Sequence, residues 1–175
     1  MKTTIQKNMI DKLRFNKENF SDNEFELLKD YTLINFIPCK KKLIIKEISL
    51  PELKTTNGIY MVENLRKDSP VERKKNNAMV VSVSPDCIFW QNKNGDSLPG
   101  ISIKPGDFIV YSISSSTEII IDGQLFTLIG EFDVCGKLSL SDEQIQSVLS
   151  TDDPVFNLRH TMIDTKLKLK EDDED

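Results

Sequence analysis

The sequence predicts a mainly β protein built around a small antiparallel barrel. Between Ile34 and Leu138, five or six short runs rich in β-branched and aromatic residues follow one another with no helical period between them. Two of the linkers are Asp122-Gly123 and Asn94-Gly95, pairs that tolerate the positive φ a two-residue hairpin turn needs. The chain has 175 residues, 38% of them hydrophobic. That is enough for a core of about 100 residues but thin for a domain packed along its whole length.

The elements follow in order. Met9, Ile10 and Leu13 suggest a short first helix. Ser21 and Glu24 form a capping box, with Phe20 and Phe25 at the two positions of a hydrophobic staple, so a second helix should run from Asp22 to about Asp30. Residues 1–35 therefore read as a helical N-terminal extension, either a cap over one end of the core or a docking arm. The expected strands lie at Leu43-Ile44-Ile45, Met79–Val83, Phe108–Tyr111, Glu118–Ile121 and Gln124–Ile129, with Ile88-Phe89-Trp90 and Ile101-Ser102-Ile103 flanking the Asn94-Gly95 turn. A second capping box, Ser141 with Gln144, opens a short helix within 139–150, whose stripe is Ile145, Val148 and Leu149. Residues 151–175 hold eight acids against four bases and end in five consecutive acids, Glu171–Asp175. Such a run repels itself, so this stretch reads as a disordered acidic tail.

Composition removes several classes of chemistry. The only histidine, His160, lies in that tail, which leaves no partner in the barrel for Ser-His-Asp, Cys-His or His-metal work. Cys39, Cys87 and Cys135 are too far apart for a C-x-x-C site and read as small buried thiols. Neither Gly-rich phosphate-binding fingerprint occurs, so no cofactor is expected and the chain does not read as an enzyme. No stretch approaches the roughly 18 apolar residues of a membrane helix. Residues 40–77 hold ten bases against five acids, clustered at Lys40–Lys42 and Arg73–Lys75. A nucleic-acid footprint would need interleaved aromatic residues for stacking, and the lysines have none.

The odd segment lies between the first two strands. Residues 51–77 are long, polar and charged, and structureless stretches of this length inside small domains are usually functional. Within them, Asn57-Gly58 is followed by the apolar run Ile59-Tyr60-Met61-Val62. This run is either an isolated strand or an exposed plug that needs a partner.

The order of these features resembles the GroES-type co-chaperonins, the chaperonin-10 family. Phe36-Ile37-Pro38 through Leu43-Ile44-Ile45-Lys46 is similar to the family's opening strand, a proline before a V-I-V-K-type run. Gly58-Ile59-Tyr60-Met61 resembles the G-I-V-L segment of its mobile loop, and Ala78–Ser84 the G-E-V-L-A-V-G strand. Trp90 to Asp96, with Asn94 and Gly95, stands where the family has its roof hairpin. Lys104-Pro105-Gly106-Asp107-Phe108-Ile109-Val110-Tyr111 matches the K-x-G-D-x-V-x-F turn and strand, and Ile121–Ile129 the closing hairpin. The family's glycines are Ala78, Ser84 and Asn57 here, the loop after Met61 is long and basic, and both extensions lie outside the pattern. A phage-encoded or otherwise specialised member would accommodate such departures.

The resemblance implies a GroES-like barrel over 36–138, with a mobile loop at about 51–77 and a roof hairpin at about 86–100. It implies binding without catalysis, in the cytoplasm (the host's, if phage-encoded). Gly58, Ile59, Tyr60, Met61 and Val62 would contact a GroEL-type chaperonin ring in its ATP-bound state, the ATP being held by that partner. A heptamer of this chain would enclose unfolded client proteins, with Ile37 and Phe132–Cys135 meeting across the subunit interface. The residues alone leave two other readings open: a static barrel-type assembly or virion component, and an oligonucleotide-binding barrel, which the net charge of −5 disfavours.

Overall fold

Six antiparallel strands organise the chain in a computed structural model, which describes residues 4–49, 76–88, 94–96 and 102–159. They are β1 (Lys42–Glu47), β2 (Asn77–Val83), β3 (Phe108–Tyr111), β4 (Thr117–Ile121), β5 (Gln124–Gly130) and β6 (Val134–Leu138). Their order is β4-β5-β1-β2-β3-β6, a single mainly β sheet as expected. Five strands coincide with the apolar runs of the sequence. The hairpin between β4 and β5 turns at Asp122 and Gly123, with φ of +47° and +78°, the conformation for which that dipeptide is suited.

Strand alternation gives the sheet two buried faces. Leu43, Ile45, Val80, Ile109, Tyr111 and Ile129 share one, closed by Ile103 and Val83. Ile44, Met79, Val81, Phe108 and Phe126 share the other, and on this face lie the two terminal segments. A sheet buried on both sides reads as continuous apolar runs, which is what β1 and β2 show.

The N-terminal segment contains α1 (Thr4–Leu13), a 3-10 turn (Lys17–Asn19) and α2 (Asp22–Leu28). The Ser21–Glu24 capping box is formed, with the serine amide donating to Glu24 Oε2 at 3.1 Å. Phe15 joins the two expected staple residues, its ring 4.8 Å from that of Phe20 and stacked 5.0 Å from that of Phe25. The chain then runs beside β2. The Leu33 amide donates to Val81 O at 2.9 Å and the Val83 amide to Tyr31 O at 2.8 Å, extending the sheet past the end of β3. Leu13, Leu33 and Ile34 are buried there, so the extension is a cap integrated with the sheet.

After β6, α3 (Asp142–Leu149) carries the second capping box, and Val148 and Leu149 are buried. Replacing Ser141 with Ala removes the acceptor for the Gln144 amide, 3.3 Å away. It should cost about 1 kcal/mol and lower the melting temperature by about 2–4 °C, as measured by circular dichroism.

The expectation of disorder from residue 151 is corrected over its first part. Residues 154–159 are helical, and Val155, Phe156 and Leu158 are buried in the same cluster as Leu13 and Val148. The physical reason is local. Asp153 accepts the Val155 amide at 3.0 Å, and Pro154 stands at the first helical position, where its missing donor is harmless. The three apolar residues that follow outweigh the acidic bias of the stretch. Residues 160–175, including Glu171–Asp175, lie outside the described residues.

Candidate functional site

The chain leaves the sheet at two opposite ends. At one end, β1 runs out through Ile48 and Ser49, and the chain returns at Asn76 into β2. The two roots are tied together, because the Ile48 amide donates to Asn77 O at 3.0 Å. β3 adds to this tie: the Tyr111 amide donates to Asn76 O at 2.9 Å and its hydroxyl to Glu47 Oε1 at 2.7 Å. Burial, reinforced by that carboxylate, pushes the tyrosine's pKa upward, so the hydroxyl stays a donor. Gly58, Ile59, Tyr60, Met61 and Val62, the expected partner-contacting plug, lie outside the described residues, on the chain between these two roots.

The opposite end carries the second loop. Lys40 and Lys41 both adopt left-handed backbone, with φ of +55° and +57°. Two consecutive non-glycine residues in that region are strained and need local support. They have it: the Lys41 amide donates to Asp86 Oδ1 at 3.0 Å, and Lys41 O accepts the Glu131 amide at 2.9 Å. Ser84 Oγ also donates to Asp86, and this hydrogen bond, with that of Lys41, holds the Asp86 pKa below the usual carboxylate range. Glu131, 7% exposed, accepts the Ile88 amide at 2.7 Å and faces Lys41 Nζ at 3.8 Å. The base of the 86–100 segment is therefore fastened to the start of β1. In that segment Asn94 and Gly95 form a turn, with Gly95 at φ +86° as its Asn-Gly pair predicts. Trp90 lies outside the described residues.

The cysteines carry no paired chemistry. Cys39 and Cys135 are exposed, correcting the expectation that all three are buried. Cys87 is half-buried, and burial beside Glu131 and Asp86 pushes its thiol up to about 12, too high for a reactive thiolate. Among the described residues, no group of three or more His, Cys, Asp or Glu is placed to hold a metal ion. No described helix is long and apolar enough to cross a membrane.

The mainly β sheet agrees with the expected fold class, and comparison with known proteins gives the family. The model of the chaperonin 10 kDa subunit family matches residues 35–138, more than half of the chain. The chain belongs to the chaperonin 10 kDa subunit family. It is similar to the co-chaperonin GroES of Rhodothermus marinus, at 29% identity over 57% of this chain and 87% of that protein. It is similar to that of a Caulobacter species, at 31% over 59% and 96%, and to that of Clostridium beijerinckii, at 29% over 58% and 95%.

As a divergent GroES-type member, this chaperonin-10 chain carries packed extensions on both sides of the matched region. Met79 of β2 is fully buried. It lies on the sheet face where the two terminal segments pack, directly opposite Lys46 of β1. Leu13, Leu33, Val148 and Phe156, which lie outside the family match, share one cluster with Met79, Val81 and Phe126 within it.

Proposed function

We propose that the protein is a co-chaperonin. It caps a GroEL-type chaperonin ring in that ring's ATP-bound state and encloses client proteins under a dome of its own subunits. The observation that carries this reading is the order of the family's motifs along one sheet, with the loop roots Ile48–Asn77 at one end and the hairpin base at the other. Gly58, Ile59, Tyr60, Met61 and Val62 are the partner contact. Ile59 and Met61 fill an apolar groove, while Tyr60 keeps its polar end at the rim. Each loop binds weakly and loses ordering entropy, and several loops on one ring bind tightly through effective concentration. The chain performs no chemistry and holds no nucleotide, which stays with the partner, and it works in the cytoplasm.

The dome requires a closed ring of this chain, taken as seven subunits by the family resemblance. Phe132, 91% exposed between β5 and β6, and the half-exposed Phe36 support a subunit contact there. So does the edge strand β6, which pairs only with β3 among the described residues. A native mass of about 140 kDa is expected for seven copies of 20.0 kDa. Phe132→Ser should dissociate the ring at micromolar concentration in light scattering. A wild-type mass of 20 kDa would overturn the dome. The function itself is tested by co-migration with a purified chaperonin ring, expected with ATP and absent without nucleotide. Stoichiometric capture indifferent to nucleotide would point to a static assembly partner and overturn the reading.

A further inference from the structure

The C-terminal segment lies across the sheet at the loop-root end, and its attachment is specific. Lys46, Met79, Phe108 and Leu138 are consecutive partners across β1, β2, β3 and β6, forming one row. Lys46 also lies 5.4 Å above the Phe126 ring of β5. The row stands two residues inside the Ile48–Asn77 tie.

Residues 150–159 are pinned at two positions along this row, Lys46 and Phe108. Asp153 pairs with Lys46 at 3.3 Å, with side-chain exposures of only 25% and 15%. The same Nζ donates to Leu125 O at 2.7 Å. At the second, the Arg159 guanidinium stacks over Phe108, 4.7 Å from its centroid, and its stem packs against Gly106, where an added Cβ would meet it at 3.5 Å. Gly106 has φ +91° and belongs to the Lys104-Pro105-Gly106-Asp107 turn. Between the pins, Val155, Phe156 and Leu158 are buried with Met79, Phe108, Phe126 and Ile48 in one cluster. Ile48, the last buried residue of the outgoing root, thus shares its packing with a segment about 100 residues further along the chain.

We propose that residues 150–159 are a strap that holds the two roots of the 50–75 segment in register and so sets how rigidly that segment is presented. The strap is an intramolecular device beyond the family match, which ends at residue 138. A strap that crosses β5, β1, β2 and β3 at one level resists splaying of β1 from β2 where both leave the sheet. The presentation step rests on the co-chaperonin reading above; the stiffening of the roots does not.

The test uses the full chain carrying Asp153→Asn together with Arg159→Gln, which removes both pins and leaves Val155, Phe156 and Leu158 in place. Native-state hydrogen exchange is read at the Ile48 and Tyr111 amides at the loop roots and at the Glu131 and Ile88 amides at the opposite end. Exchange at Ile48 and Tyr111 should accelerate about tenfold or more, with Glu131 and Ile88 unchanged. Unchanged exchange at the roots overturns the strap. Uniform acceleration at both ends also overturns it, since that reports only lost global stability. Asp153→Asn alone, the milder variant, gives the same comparison if the double variant unfolds. Chaperonin capture is measured in parallel and should weaken several-fold. If the wild type shows no nucleotide-dependent capture, the co-chaperonin reading fails while the exchange result stands on its own.

Discussion

A chain with Phe156→Ala should lose about 3–5 kcal/mol of stability, and one ending at Ser150 should lose more. Phe156 is 5% exposed, between Val155 and Leu158, in the cluster that covers Ile44, Met79, Val81 and Phe126. Removing its ring leaves a cavity bounded by residues already fixed by the strand ladder, so collapse around it is limited. Truncation at 150 removes all three apolar side chains and exposes the sheet face. Since small domains hold only about 5–15 kcal/mol in reserve, that variant should be largely unfolded at physiological temperature. A chain ending at Arg159 keeps the whole packed segment. Its thermal midpoint should match the parent's, and urea titration of the three chains gives the comparison. Parent-like stability for the chain ending at Ser150 would show that the covering residues do not hold the sheet.

Ile59→Ser combined with Met61→Ser should leave the thermal midpoint almost unmoved while chaperonin capture falls by orders of magnitude. The expected size follows from multivalency: each loop's loss is multiplied around the ring, so a modest defect per subunit removes the avidity of the whole. Were these two residues core, the same change would cost several kcal/mol and lower the melting point sharply. Calorimetry and nucleotide-dependent capture on the same variant separate the cases. A large fall in midpoint ends the plug assignment. A normally folded variant that still caps the ring ends the assignment of this loop to the partner.

Much of this architecture was legible because local and long-range signals agree. The Asp122-Gly123 linker fixed one hairpin, the capping boxes at Ser21 and Ser141 fixed two helix starts, and runs such as Ile44-Ile45 and Met79–Val83 marked strands buried on both faces. β6 was harder to see, because Val134-Cys135-Gly136-Lys137-Leu138 alternates half-buried and exposed positions and has only one β-branched residue. The packed 150–159 segment was obscured by averaging: net charge over residues 151–175 hides a Pro-Val-Phe-Asn-Leu stretch whose start signal is Asp153-Pro154. The left-handed pair at Lys40–Lys41 left no trace either, since lysine does not favour that backbone and the supporting groups, Asp86 and Glu131, lie 45 and 90 residues beyond Lys41. For the candidate contact residues 58–62, only the residue types are legible in the sequence, and the fold describes the two tied roots on either side of them.

The bridge of Tyr31–Leu33 against Val81–Val83 also bears on the order of folding. Residues 31–33 find their partners about 50 residues later, and the face they help to cover is finished only when Val155, Phe156 and Leu158 exist. High sequence separation between contacts slows folding, because loop closure is entropically costly before any packing repays it. During synthesis, Ile44, Met79 and Phe126 would stay uncovered on that face until nearly the whole described chain has emerged. A nascent chain therefore presents an incomplete apolar sheet until residues 154–159 have emerged, and that helical turn is the piece that closes it.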